Sequence, residues 1–347
     1  VQLEFVRASS PLSPSGYRRA AAALLEKDAV DLVVALAQPG VAPTLAPLFA
    51  GAERALVVVD GGANLVRDTQ QDPWVFYNTL GAWESSWALG RWAARNFGGE
   101  GYTVASGFEG GHDAVTAFRL GAVVGGHGEK GQLIPGLPLR EAPYIASPQA
   151  AMEGIRLAQP AYVAAFLNRG EGLEFLRSFQ EAGLSATLPL LGSPFLAEDA
   201  LAGGLGEHLA GYITAGAWSR NLPTAENRAF RAAFHRSTGK EADAFAALGY
   251  DTGRMILAAL LDGGGHARFL REALERAQWT GPGGKRAMDP GSHLVRGDVH
   301  FSRFEAVGGQ IEASHLASEP GLGLREFETD ALLRSPRPAV LNPYPIY

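Results

Sequence analysis

The run Gly281-Pro282-Gly283-Gly284-Lys285 holds the residue types of a phosphate-binding loop. A working loop of that kind needs a set spacing to its lysine, a Ser or Thr after it to hold Mg²⁺, and a helix that opens at once behind it. Arg286 follows the lysine and no helical pattern begins there, so the run reads as a glycine turn between strands. His293, Asp298 and His300 form the densest grouping among the 8 histidines. A zinc site wants three or four converging ligands with an ordered second layer, and these residues read instead as strand-face or surface positions. Cysteine is absent, which removes thiolate nucleophiles, disulfides and cysteine metal sites. Nucleophile-elbow, Walker and HExxH patterns are absent too. No catalytic set, metal site or cofactor motif is expected.

What remains is a repeated local pattern in which apolar runs end in glycine and polar residues. Gln38-Pro39-Gly40 follows VVAL, Gly61-Gly62-Ala63-Asn64 follows VVVD, and Gly107-Phe108-Glu109-Gly110-Gly111 follows TVAS. Asn168-Arg169-Gly170 follows AAFL, and Gly192-Ser193-Pro194-Phe195 follows LPLL. In open α/β sheets the carboxyl ends of parallel strands hold ligands, because helix N-termini there present backbone N–H groups. Five such ends point to a ligand cleft. Gly61 and Gly62 are explained by turn geometry, while Ala63 and Asn64 can form a wall.

The elements that must position these ends are legible from periodicity. Short β-branched runs at 3–6, 31–36, 55–60, 102–106, 162–167 and 187–191 alternate with alanine- and leucine-rich segments, the mark of parallel βα units. The strands are apolar at nearly every residue, as expected when helices cover both faces. Thr224 can cap a helix whose stripe of Ala229, Phe230, Ala233 and Phe234 ends at Gly239. In the segment 83–99, Trp83, Trp87 and Gly90 share one helical side; Trp87 reads as packing, and Trp83, at the helix start, equally as packing or ligand contact. Residues 130–148 are proline-rich and aperiodic, and 280–311 alternate in short strands with glycine turns, expected as antiparallel hairpins.

Length and charge set the frame. At 347 residues, against about 150 per domain, two lobes are expected. A net charge of -6 provides no basic face for nucleic acid or an anionic membrane. No apolar run approaches the roughly 20 residues of a membrane helix, so no direct membrane insertion is expected, and Val1–Phe5 is not a signal sequence.

The order of these blocks resembles the type I periplasmic substrate-binding proteins of the branched-chain amino acid ABC transporter class, the family of the leucine/isoleucine/valine-binding protein, from residue 1 to roughly 312. LLEKDAVDLVVALAQPGVAPTLAPLF, VVVDGGANLVR, AENRAFRAAFHRSTGKEADAFAALGYDTGRMILAAL and WTGPGG with VHF carry the likeness. The resemblance implies an α/β fold of two Rossmann-like lobes with mainly parallel sheets joined by a hinge, closing on a small ligand. The first lobe would hold 1–101 and 217–275, the second 102–216 and 276–325, with a proline-rich tail at 326–347. It places Gln38, Pro39, Gly40 and Val41 against the ligand's polar head, with Ala63 and Asn64 continuing that wall. Phe108 and Gly110 fall at hinge aromatic positions, Asn168 beside Arg169 at another aromatic contact, and Tyr250 at a recurring tyrosine. The implied partners are a small-molecule ligand and an ABC transporter permease, in the periplasm or outside the cell, with a lipid anchor on a segment outside this sequence as one arrangement.

Three departures bear on the ligand. A βα unit of roughly 30 residues that usually precedes LEFV has no counterpart, and the segment after Phe327 is one candidate to fill its place. The acidic residue that pairs a ligand ammonium falls at Ser193-Pro194, which disfavours an α-amino acid. Gly110 replaces a hinge aromatic and leaves room for a different solute, an aromatic, carboxylate or amide. Two alternatives stay open: a sensory module of the same fold, which a C-terminal membrane segment in the full gene would favour, and an α/β enzyme, which turnover dependent on Arg169 or His112 would favour.

Overall fold

The computed structural model describes residues 3–37, 39–63, 72–106, 109–122, 124–125, 133–135, 148–167, 169–264, 266 and 269–321. Three parallel strands, β1 (Leu32–Leu36), β2 (Ala55–Asp60) and β3 (Val75–Thr79), form the first sheet in that order. Alternation along β2 decides how it is covered. Val57 and Val59 face a cluster with Phe76, Leu248 and Met255, while Leu56 and Val58 face one with Leu45 and Phe49. The second face is therefore covered by α2 (Ala42–Ala52), beside α1 (Pro14–Glu26), which Ser13 caps by accepting from the Gly16 N–H. The first face is covered by α8 (Ala225–Thr238), α9 (Ala244–Asp262) and α10 (Leu270–Glu275). Thr224 caps α8 and Gly239 closes it at φ +70°, as its sequence predicts. Helix α9 is apolar and long enough to cross a membrane, contrary to the sequence reading, yet its Ala247, Leu248, Met255 and Ala259 are buried in this lobe.

Among the described residues the second sheet has seven strands in the order β13-β12-β8-β7-β6-β4-β5. β4 (Gly101–Ala105), β5 (Leu133–Pro135), β6 (Tyr162–Phe166), β7 (Leu190–Gly192) and β8 (Ile213–Gly216) run parallel. β12 (Val299–Val307) and β13 (Gln310–Glu319) close it as an antiparallel hairpin. One face is covered by α3 (Ala82–Phe97) and α4 (Glu109–Ala122), the other by α5 (Pro148–Ala158), α6 (Arg169–Glu181) and α7 (Pro194–Ala202).

Two lobe boundaries move from their expected places. Helix α3, inside the expected first-lobe span 1–101, packs Trp87, Leu89 and Ala93 with Phe118, Tyr162 and Phe301 of the second lobe. A Cβ on Gly90 would sit 1.9 Å from the Phe118 carbonyl oxygen, and one on Gly121 1.9 Å from that of Trp87, so the bare glycines let α3 and α4 touch backbone to backbone. The crossover thus comes before Ala82. Likewise β9 (Gln278–Gly281), β10 (Gly284–Met288) and β11 (Val295–Gly297), expected in the second lobe, form a small sheet on the first, with Trp279 and Met288 in the cluster of Leu248 and Met255. GPGGK is the β9–β10 turn.

The expected strand at 3–6 does not form; Phe5 is 89% exposed. Nothing among the described residues pairs with the outer edge of β1, whose Val34 and Leu36 are exposed, so this sheet is not interior on every strand. The expected tail, 326–347, lies outside the described residues.

Candidate functional site

A cavity of about 240 Å³ opens at the carboxyl ends of β6, β7 and β8, where the second lobe meets the first. β6 runs out in Phe166-Leu167, β7 in Gly192 and β8 in Ala215, all of which line it. Ser193 turns the chain from β7 into α7: its Oγ accepts from the Phe195 N–H at 3.2 Å, with Pro194 preset for the first helical turn. Helix α7 then contributes Phe195, Leu196 and, a turn later, Asp199. Helix α3 lays one face along the cavity through Ala82, Ser86 and Leu89, with Trp83 and Ser85 beside it. That spacing is the i, i+4, i+7 of a helical stripe.

From the first lobe comes Ala63, carried by the turn after β2. Gly62 stands at φ +69°, and a Cβ there would lie 2.5 Å from the Gly81 nitrogen, so glycine is required. Gly61 has no such need; its nearest foreign atom is the Phe195 ring across the cleft, 3.9 Å from where a Cβ would be. Asp60 closes the turn by accepting from the Gly62 N–H at 2.9 Å, and burial pushes its carboxyl up to about 6 against the effect of that bond. The carbonyls of Gly61 and Gly62 in turn accept from the N–H groups of Ala82 and Trp83 at 3.1 and 2.8 Å. The first donors of α3 are therefore occupied, and its N-terminus is not an open anion site, which corrects the general expectation from strand-end loops.

The chemistry of the lining is mainly apolar, with three hydroxyls and one acid. Ser86 donates to the Ala82 carbonyl at 2.7 Å, whereas the buried Ser85 Oγ has no hydrogen-bond partner among the described residues. An unmatched buried hydroxyl costs about 1–3 kcal/mol, which a ligand atom placed against it recovers. Asp199 is the one charged residue among the described lining residues, and no Lys, Arg or His accompanies it. Ser193-Pro194 offers no acid to a ligand ammonium, but helix α7 brings in Asp199 one turn further on.

Of the residues expected at the ligand, Ala63, Trp83 and Ser193 line the cavity. Gly40 is exposed in a single turn of 3₁₀ helix, Pro39–Val41, and Val41 is buried in the first-lobe core with Leu45 and Phe49; neither lines it. Pro39 belongs to the same turn, Gly110 to the first turn of α4 and Arg169 to the start of α6, and their side-chain surroundings lie outside the description. Tyr250 packs on Phe230 with ring centroids 5.0 Å apart and is half-exposed, away from the cavity, a structural position. Gln38, Asn64, Phe108 and Asn168 lie outside the described residues. Ser85, Ser86, Phe166 and Asp199 are cavity residues that the sequence reading does not name, while Phe195 enters it only within the strand end at 192–195. No group of three or more His, Asp or Glu among the described residues could hold a metal ion. His293 meets the Val75 carbonyl at 2.9 Å and stacks on Phe76, while His300 meets the Gly283 carbonyl.

A family model described as a periplasmic binding protein matches residues 1–309. Among solved structures, 92% of the chain aligns with 87% of an ABC transporter solute-binding protein from Rhodopseudomonas palustris in complex with 3,4-dihydroxybenzoic acid, at 24% identity and a TM-score of 0.73. An ABC transporter substrate-binding protein from Sphaerobacter thermophilus aligns over the same shares at 23% identity and a TM-score of 0.77. A leucine-binding protein from Thermotoga maritima aligns over 89% of this chain and 85% of its own, at 16% identity and a TM-score of 0.65. No curated protein matches the chain by sequence.

Proposed function

We propose, from the premise that the chain belongs to the periplasmic binding protein family, that it captures a small organic solute between its lobes outside the cytoplasm and delivers it to an ABC transporter permease. The observation that carries this is the cavity at the carboxyl strand ends, to which the second lobe gives most of the wall and the first gives Ala63. No bond is made or broken in such a step. An open and a closed arrangement differ by a few kcal/mol, and contacts made from both lobes favour the closed one.

The solute class follows from size and lining. At about 240 Å³ the cavity falls just under the usual range of about 300–1,000 Å³ for small-ligand sites, which suits a single ring. Trp83, Phe166 and Phe195 supply aromatic walls. The Asp199 carboxylate can accept a hydrogen bond from a ligand, and a phenolic hydroxyl is one group that donates it. Structural neighbours hold 3,4-dihydroxybenzoic acid and 4-hydroxybenzoate, which supports a hydroxylated aromatic acid as the ligand. The leucine-binding neighbour supports an amino acid as a second reading, with Asp199 on the ammonium.

Calorimetric titration separates the two. A hydrogen bond to a charged group contributes about 1.5–3 kcal/mol, so 4-hydroxybenzoate should bind at least roughly tenfold tighter than benzoate, and Asp199→Asn should narrow that gap. Tight leucine binding with none of the aromatic acids bound would replace the first reading by the second. Binding of neither class would remove both.

A further inference from the structure

Helix α7 does more than line the cavity. Its Phe195 crosses the cleft, stacks on Phe245 of α9 with centroids 5.9 Å apart, and packs against the apolar cluster of the first lobe. One turn on, Glu198 reaches the same helix: its Oε1 accepts from the Ala244 N–H at 3.1 Å. A helix leaves its first four N–H groups without partners inside itself. At α9 one is taken by the cap Asp243, which accepts from Ala246 at 2.7 Å, and another by this carboxylate from the opposite lobe. Separating the lobes must break both the stack and the Glu198 bond.

We infer that Phe195 and Glu198 form a proton-linked clasp between the lobes, which sets how far the protein closes and so tunes solute affinity, with Phe195 at the cavity wall and Glu198 behind it. This rests on the reading of the protein as a two-lobe clamp. Glu198 is not a ligand contact; it acts by positioning α7, whose Ser193, Phe195 and Asp199 line the cavity.

The electrostatics of the clasp give its direction. Burial pushes the Glu198 carboxyl up to about 7; the Ala244 N–H works against this, Asp243 reinforces it, Arg220 opposes it, and Asp199 reinforces it. Arg220 is held nearby by its bond to the Ala242 carbonyl at 3.2 Å. In the opened protein the group returns toward an ordinary glutamate, so closing takes up a proton. The clasp is then strongest where Glu198 is protonated in the closed state and weakens as pH rises through about 7. A carboxylic acid still accepts from Ala244 through its carbonyl oxygen, so protonation keeps the bond while removing the buried charge.

The test uses ligand-free protein, so it does not depend on which solute binds. The chain has no cysteine, and Leu157 on α5 and Leu261 on α9 are exposed on opposite lobes, so a L157C/L261C pair takes spin labels at those two sites alone. Pulsed EPR at about pH 5.5 and about pH 8 reads the closed and open distances, and one linked proton gives a closed-to-open ratio on the order of tenfold lower at the higher pH. Glu198→Gln, uncharged and of the same shape, should hold the low-pH ratio at both values. Phe195→Ala should shift both toward open while keeping the pH response. A parent whose distances ignore pH, or an E198Q protein that responds as the parent does, overturns the clasp. Thermal melting of each variant confirms that it is folded, and failure to bind any aromatic acid would sink the ligand reading while leaving this measurement intact.

Discussion

At the scale of single residues, Ser85 poses the sharpest question. It is 3% exposed, lines the cavity and has no partner for its hydroxyl among the described residues. If a bound solute satisfies it, Ser85→Ala should weaken binding by about 0.5–1.5 kcal/mol, roughly two- to tenfold. The ligand-free protein should melt no lower, because the change removes an unmatched polar group from the interior. Titration of the variant with 4-hydroxybenzoate, alongside its melting curve, checks both halves. Unchanged affinity with a lower melting temperature would make Ser85 a packing residue. Ser193, a polar strand end in the sequence, and Trp83, which the sequence reads equally as packing or as ligand contact, both line the cavity. Asp199 is not legible from the strand end at 192–195, because three residues of α7 separate the two and only the direction of that helix brings it back.

At the scale of elements, the α3–α4 contact depends on residues that look like helix weaknesses. Alanine in place of Gly90 would improve intrinsic helix propensity by about 1 kcal/mol. The 1.9 Å approach of its Cβ to the Phe118 carbonyl oxygen works against this, and overpacking costs typically about 1–3 kcal/mol with backbone as the obstructing atom. Gly90→Ala should therefore destabilise despite its propensity, measured as a lower midpoint in urea. Capping was readable in advance: Thr224 and Gly239 bound α8 as their residue types require. The strand expected at 3–6 shows the limit of such reading. Its residues have strand character, but a strand exists only against a partner, and none of the described residues supplies one to it.

At the scale of the whole molecule, the lobes are tied near the hinge by His300 and Arg286. His300 on β12 donates through Nε2 to the Gly283 carbonyl of the first lobe at 2.9 Å while Nδ1 accepts from Ser318, the tautomer these partners assign. Arg286 donates to the Ala217 carbonyl at the crossover from β8 and pairs with Asp251. Burial holds His300 down to about 4; its bond to Gly283 works the other way, and nearby Arg286 adds to the depression. Since the folded value lies below the ordinary one, the contribution of the neutral ring is full above about 6.5 and is lost as pH falls toward about 4. The melting temperature of the parent minus that of His300→Asn should shrink over this window, and a difference that is flat with pH would show that His300 acts by shape alone.

The α/β class, the expectation of two lobes, the polar residues that end the parallel strands and the two caps of α8 are written in the amino-acid sequence. These depend on the period of apolar residues and on local capping and turn chemistry, which neighbours along the chain are enough to express. Tertiary structure decided which lobe receives α3 and the β9–β11 sheet, that Asp199 and Ser85 converge with Ala63 on one cavity, and that Glu198 reaches across to α9. An amphipathic stripe states that a face must be buried and is silent about against what, so pairings between residues more than a hundred positions apart emerge only when whole elements compete for the same surfaces.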